Sequence, residues 1–190
     1  MKHFKFYSKN DILSITKIRR FETKLGERVR HLKTEDEWPE VLAQSKAKYV
    51  LIGIPEDIGV KANYGTGGAD TSWLPFLNSF LNTQSNDFLS GENILLLGHF
   101  DFGDIKYLIE NNAYNQDELI NAYRHAVKLI DDEVEDMMKI IASAKKIPII
   151  IGGGHNNSYP IIKGVSKGLY KADVIPLAQI NCINLDAHAD

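Results

Sequence analysis

Short apolar runs alternate along the chain with longer segments in which apolar residues recur every three or four positions. The apolar runs are "YVLIGI" (49–54), "ILLLGHF" (94–100), "IPIII" (147–151) and "INCINL" (180–185). Runs of this length bounded by polar or glycine-rich sequence predict β-strands. Polar and apolar residues do not alternate in most of these runs, which is typical of strands in a parallel sheet that is covered on both sides.

Helical spacing appears between these runs. It predicts helices over about 34–46, within "TSWLPFLNSFLNTQ" (71–84), over 115–146 and over 158–169. Thr34 and Glu37 have the spacing of a capping box at the start of the first helix. Strands that alternate with helices indicate an α/β fold with a mainly parallel sheet. Residues 1–33 carry no pattern that assigns them a role.

Composition narrows the function classes. The chain has 190 residues, a formal net charge of −3 and scattered Lys and Arg residues, so no nucleic-acid partner is expected. Its apolar runs are too short to cross a bilayer, and its first residues lack a secretion signal. The single cysteine, Cys182, excludes an internal disulfide and is expected to be a small buried side chain. These features predict a cytoplasmic protein without a membrane partner.

All four predicted strands end in polar or glycine-rich sequence: "GIPED", "GHFDFGD", "GGGHN" and "DAHAD". In open α/β sheets, ligands bind beyond the carboxyl ends of the strands. The chemistry is therefore expected at this edge of the sheet.

The last of these motifs has the donors of a metal site. Asp186, His188 and Asp190 follow one another at every second position, so an extended backbone points all three side chains the same way. Their Cα atoms are then about 6.5 Å apart, a spacing that suits two ions about 3.5–4 Å apart with Asp186 between them. Carboxylates with imidazole and no thiolate favour Mn²⁺ over structural zinc. His155 supplies a second imidazole after Gly152–Gly154, which let the backbone turn sharply.

Other readings of these residues compete. Asp-x-His-x-Asp by itself could be a solvated loop, and Gly-Gly-Gly-His by itself could be a turn with an incidental histidine. Both motifs at the ends of buried strands favour a site. The "DFG" at 101–103 lacks the other kinase motifs, "GTGGAD" lacks the context of a nucleotide-binding loop, and no serine-hydrolase elbow is present. Asp101 and Asp104 are expected to be structural, and His99 is expected to be a hydrogen-bonded residue at a strand end or a donor behind the site.

"GGGH" followed by "NLDAHAD" resembles the ureohydrolase superfamily, which contains arginases, agmatinases and formimidoylglutamases. "IGIPEDIGVKANYGTGGAD" and "DFGD" resemble that family's first strand with its loop and its second strand. The resemblance covers about 48–190 and implies a three-layer α/β/α arginase-like fold with a mainly parallel sheet. It divides the chain into residues 1–47, an N-terminal extension and leading helix, and residues 48–190, the N-terminal portion of an arginase-like domain.

The resemblance also implies roles. His155, Asp186 and Asp190 would bind one Mn²⁺, and His188 and the bridging Asp186 would bind a second. Asp190 and His188 would be catalytic, with Asp190 helping to pass a proton to the departing nitrogen of an amidine or guanidine. Family members often form homo-oligomers.

Three departures from the family pattern bear on the reaction. Gly154 and Asn156 stand where arginases and agmatinases usually have an acidic residue and serine, which favours formimidoylglutamase, the hydrolysis of N-formimidoyl-L-glutamate to L-glutamate and formamide. Arginase-type or agmatinase-type guanidine hydrolysis and a non-catalytic member of the fold stay open as alternatives.

The family's later Asp-x-Asp pair is absent. We therefore expect a fragment that lacks the C-terminal part of the domain and is inactive alone.

Overall fold

The computed structural model describes residues 1–32 and 36–186. The elements in chain order are β1 (Phe4–Phe6), α1 (Lys9–Ile15), α2 (Leu25–Arg28), α3 (Trp38–Gln44), β2 (Tyr49–Gly53), α4 (Ile58–Ala62), α5 (Trp73–Leu81), β3 (Ile94–Phe100), α6 (Gly103–Asn112), α7 (Gln116–Ser143), β4 (Ile147–Ile151) and α8 (Ser158–Lys171). Two short 3₁₀ turns, Ala69–Thr71 and His155–Asn157, lie at the starts of α5 and α8.

The strands form one sheet in the order β1-β3-β2-β4. β2 runs parallel to both β3 and β4, whereas β1 pairs antiparallel with β3. The predicted mainly parallel sheet is therefore confirmed, and three of the four predicted strands are present. β1 was not predicted because it is only three residues long, which is too short for its alternation to stand out from the surrounding sequence.

Helices cover both faces of the sheet. Val50 and Ile52 of β2 point to one face, where they join a core with α3, α4 and α7. Leu51 points to the other face, where it packs with Leu96 of β3 and with α1 and α5. Since successive side chains of a strand point to opposite faces, one continuous apolar run supplies both cores. The three-layer α/β/α arrangement predicted from the sequence is confirmed.

The predicted fourth strand is wrong over its described part. Residues 180–186 adopt no strand, and Cys182, expected to be buried, is exposed. A β-strand exists only through hydrogen bonds to a neighbouring strand, and residues 180–186 lie along no strand of the described sheet. Residues 187–190, with His188 and Asp190, lie outside the described residues.

Other boundaries also differ. The first predicted helix is shorter, because α3 begins at Trp38 and ends at Gln44. Glu37 caps it in a left-handed conformation with a φ of 54° and without a side-chain hydrogen bond, and the proposed capping partner Thr34 lies outside the described residues. The glycine-rich segment after β2, expected as a loop, contains the short helix α4.

Close packing of α8 against α7 fixes the start of α8 relative to the sheet. Gly164 and Gly168 face α7, where an added Cβ would lie 2.4 Å from the Glu135 carbonyl oxygen and 2.6 Å from the Ala142 Cβ, respectively. The two helices therefore approach each other through positions that have no side chain. The segment between β4 and α8, which contains His155, is held between these packed elements.

Candidate metal-binding site

The backbone turns sharply at the carboxyl end of β4. Gly152 and Gly153 both have a φ of 89°, a conformation that residues with a Cβ rarely adopt. A Cβ at Gly153 would also lie 2.5 Å from the Ile54 carbonyl oxygen, so this turn passes close over the end of β2. The glycines therefore bring the next residues to the edge of the sheet where ligands were expected.

His155 begins the 3₁₀ turn that leads directly into α8. The Asn157 backbone N–H donates to the Gly154 carbonyl oxygen at 3.1 Å and closes the turn. The His155 side chain is half-exposed, and its Nδ1 lies 3.2 Å from Oδ2 of Asp186. The structure thus brings together an imidazole and a carboxylate that are 31 positions apart in the sequence.

This separation fits two ligands of one cation. Adjacent ligand atoms of an octahedral ion with bonds of about 2.1 Å lie about 3 Å apart. An imidazole nitrogen and a carboxylate oxygen also suit Mn²⁺ chemically. His155 and Asp186 are two of the four predicted ligands, while His188 and Asp190 lie outside the described residues. Within the described residues no group of three or more His, Cys, Asp or Glu side chains could hold a metal ion.

Sequence reasoning missed a buried carboxylate behind the histidine. Glu56, just after β2, is 2% exposed. Its Oε1 accepts hydrogen bonds from the Gly154 backbone N–H at 3.0 Å and from Asn157 Nδ2 at 2.5 Å, and its Oε2 accepts from the Gly59 N–H at 3.1 Å. The polar "PED" after an apolar strand indicates a functional strand end. The contact between Glu56 and the segment after β4, however, depends on β2 and β4 being neighbours in the sheet.

The adjacent carboxylate, Asp57, serves a different loop. It is also 2% exposed, and its Oδ2 accepts from the Gly68 N–H at 3.2 Å, while Oδ1 lies 2.9 Å from Nζ of Lys106. Burial acts to raise the pKa of Asp57, but the hydrogen bond and charge of Lys106 outweigh it, so the pKa is lowered. Lys106 also contacts Asp70 at 2.7 Å. These ion pairs fix the glycine-rich loop to α6.

A cleft of about 640 Å³ opens beside these ion pairs at the ends of β2 and β3. Trp73 and Phe102 form part of its apolar wall, and His99 and Lys106 contribute polar groups. His99 Nδ1 is buried and has no hydrogen-bond partner in the described part of the chain. Burial, the largest effect, lowers the pKa of His99.

The "DFGD" segment makes structural contacts. Asp101 accepts from the Gly103 N–H at 3.0 Å and pairs with Lys5 of β1. Asp104 lies 3.7 Å from Nε2 of the buried His3, whose Nδ1 contacts Glu133 of α7 at 2.5 Å. These contacts connect the N-terminal strand to α6 and α7 and agree with the structural role expected for the two aspartates.

Comparisons with known proteins bear on the family. The model of the arginase family matches residues 47–190. Over 166 residues, the chain is 27% identical to arginase 1, mitochondrial, and arginase 2, chloroplastic/mitochondrial, both from Arabidopsis thaliana; each match covers 83% of this chain and 41% of the relative. Identity to arginase 1, mitochondrial, from Oryza sativa subsp. indica is 26%, covering 42% of that protein. No solved structure matches.

The chain thus spans about two fifths of the length of these curated relatives. Among the helices of the described residues, none is long and apolar enough to cross a membrane. The family match covers β2, β3, β4 and the glycine turn that carries His155, which are the elements that build the candidate site. From this match over most of its length, the chain belongs to the arginase family.

Proposed function

We propose that the protein hydrolyses a C–N bond of a small amidine or guanidine and depends on two Mn²⁺ ions. The observation that carries this proposal is the 3.2 Å approach of His155 Nδ1 to Asp186 Oδ2 beside the glycine turn after β4. A histidine and an aspartate so distant in sequence meet here at the edge where α/β proteins bind ligands. Membership of the arginase family supports the same reaction class.

The proposal assigns four residues to the ions. His155, Asp186 and Asp190 would hold one Mn²⁺, and His188 and Asp186 would hold the other. Bound Mn²⁺ would lower the pKa of a water so that a nucleophile is available near neutral pH. Asp190 and His188 are the proposed catalytic residues, and Asp190 would help to pass a proton from the attacking water to the departing nitrogen.

N-formimidoyl-L-glutamate is the proposed substrate. Gly154 is buried, and a Cβ there would lie 2.3 Å from Asn156 Oδ1 and 3.0 Å from Val60, so an acidic side chain at position 154 would require both neighbouring side chains to shift. The turn thus differs from the pattern that favours arginase or agmatinase activity. We also propose a cytoplasmic location, from the single cysteine in the sequence, and assembly into homo-oligomers.

Metal binding by the full-length protein tests the proposal. We expect Mn²⁺ titrated into chelator-treated protein to bind, and His155→Ala and Asp186→Asn to weaken binding about 10-fold or more, because each removes a ligand atom. His125→Ala and Asp87→Asn are matched controls, since both residues are exposed and neither is a proposed ligand. Equal affinity in the wild type and both ligand variants would reject the site.

A substrate panel tests the reaction. The full-length enzyme with Mn²⁺ is assayed with N-formimidoyl-L-glutamate, arginine, agmatine and guanidinobutyrate. We expect the first to give the highest kcat/KM and exhaustive chelation to abolish turnover. A preference for arginine or agmatine would show that the proposed substrate is wrong and that the proposed reaction class is right. Turnover that survives chelation, or none with any substrate, would contradict the proposed chemistry.

A further inference from the structure

The side chain of Glu56 contacts the turn that carries His155. Its carboxylate is almost fully buried, and it accepts one hydrogen bond from Gly59 in α4 and two from the turn after β4. Within the described residues, no Lys or Arg side chain forms an ion pair with it. A buried carboxylate is costly unless such donors compensate for lost water, so these segments and Glu56 hold one another in place.

Two of the three donors flank His155. Gly154 N–H lies immediately before the histidine, and Asn157 Nδ2 lies at the last residue of its turn. Asn157 is 2% exposed, and its Nδ2 also donates to the Gly154 carbonyl oxygen at 3.0 Å. One oxygen of Glu56 thus connects both ends of the turn, which restricts how the intervening imidazole is presented.

Gly154 is tightly surrounded by neighbouring side chains. A Cβ built on Gly154 would lie 3.3 Å from Oε1 of Glu56 and 3.0 Å from Val60, in addition to its clash with Asn156. The carboxylate that contacts the turn is Glu56, which lies three residues after the end of β2. Because β2 is a central strand of the described sheet, with hydrogen-bonded neighbours on both sides, its end is a rigid place from which to support a ligand.

We propose that Glu56 is a positioning residue that orders the His155–Asn157 turn so that His155 is presented to a metal ion. The inference rests on the proposed function, because it assigns His155 as a ligand. Glu56 does not touch the ion or the substrate in this role. It acts through the backbone of Gly154 and the side chain of Asn157, as outer residues commonly do in metal sites.

The primary test compares Glu56→Ala with Asp57→Asn in the full-length, metal-free protein. Asp57 is the adjacent, equally buried carboxylate, but it bonds to Gly68 and Lys106 instead of the histidine turn. We expect Glu56→Ala to weaken Mn²⁺ binding about 10- to 100-fold, measured by calorimetry, and Asp57→Asn to leave the affinity unchanged. Amide hydrogen exchange of residues 152–158, measured without metal, should become faster only in Glu56→Ala.

Two further variants decide the question even if Glu56→Ala does not fold. Glu56→Gln keeps an oxygen for Gly154 and Asn157 but presents an amide N–H to Gly59, so it should retain most of the Mn²⁺ affinity. Asn157→Ala removes the donor at the other end of the turn and should weaken binding. If the double variant Glu56→Ala/Asn157→Ala folds, it should lose little more affinity than either single variant, since both act on one interaction.

The possible results separate this inference from the proposed function. If His155→Ala binds Mn²⁺ as the wild type does, the metal role of His155 is wrong and the inference fails with it. If His155→Ala weakens binding but Glu56→Ala has wild-type affinity, only the positioning role is overturned. If Glu56→Ala does not fold, wild-type affinity of Asn157→Ala has the same meaning. Faster amide hydrogen exchange of the turn together with weaker Mn²⁺ binding in the Glu56→Ala variant supports both the proposed metal site and the positioning role of Glu56.

Discussion

Asp131 on α7 is a carboxylate with an unusual environment. Its Oδ1 is buried and accepts no hydrogen bond from the described residues. Burial, followed by the nearby charge of Asp132, raises the pKa of Asp131 to about 6, while Lys163 acts in the opposite direction. The ionised side chain is therefore disfavoured in the folded state, and at neutral pH this carboxylate opposes folding.

This environment predicts a stabilising substitution. The folded pKa of about 6 exceeds the ordinary value of 3.8, so the folded state holds the extra proton between these values and stability falls as the pH rises through this range. Asp131→Asn should raise the free energy of unfolding by about 1–2 kcal/mol at pH 7.5, allowing for screening by water, and change it little near pH 4.

Denaturant unfolding at both pH values measures the effect, with the exposed Asp87→Asn as the control. An Asp131 pKa near 3.8, observed by NMR titration of the folded protein, would contradict the explanation.

The residues of the candidate site differ in how far the sequence alone could identify them. His155 and Asp186 could be named as candidate ligands because each is a metal-ligand residue type at the end of an apolar run. Glu56 could not be identified, because nothing in "GIPED" tells that its carboxylate reaches 98 positions along the chain to Gly154. Spacing reports contacts within one element, whereas contacts between elements depend on strand order.

At the scale of elements, apolar pattern alone located β2, β3 and β4, and it placed α5, α7 and α8 within the right segments. It failed where an element depends on a neighbour: "INCINL" has the composition of a strand but pairs with none in the described residues. It also missed α6, whose residues Gly103–Asn112 are largely exposed and carry a weak apolar pattern. Packing partners, which are not encoded locally, decide both cases.

The contact between α7 and α8 leads to a prediction. In an exposed helix interior, replacing glycine with alanine stabilises by about 1 kcal/mol. At Gly164 the added Cβ would meet the Glu135 carbonyl oxygen at 2.4 Å and the Met138 Cβ at 2.6 Å, and a backbone oxygen cannot rotate away. Gly164→Ala should therefore destabilise the protein by about 1–3 kcal/mol.

Thermal and denaturant unfolding of the full-length protein provide the measurement. Tyr170→Ala, at a position 53% exposed on the same helix, should change stability by no more than about 0.5 kcal/mol. A more stable Gly164→Ala variant would show that the two helices are not tightly packed at this point.

At the scale of the whole molecule, the sheet separates two apolar cores. Ile52 lies in the core shared with α7, and Leu96 lies in the core shared with α5. Cover on both faces could be predicted because apolar runs without polar alternation are typical of such sheets, and the family resemblance implied the three-layer arrangement. The cross-strand register and the identity of the covering helices could not, since several helices have an apolar face.

Both cores should matter for stability to a similar extent. Ile52 and Leu96 are each 0% exposed, so truncation to alanine removes apolar contacts and leaves a cavity that close-packed neighbours fill only in part. We expect Ile52→Ala and Leu96→Ala each to lower the free energy of unfolding by about 2–5 kcal/mol. Leu74→Ala is the matched control, because Leu74 is 58% exposed on α5 and should cost at most about 0.5 kcal/mol. If only one buried variant loses stability, the sheet does not join its two faces into one cooperative unit, and the layer around the unaffected residue is loosely packed.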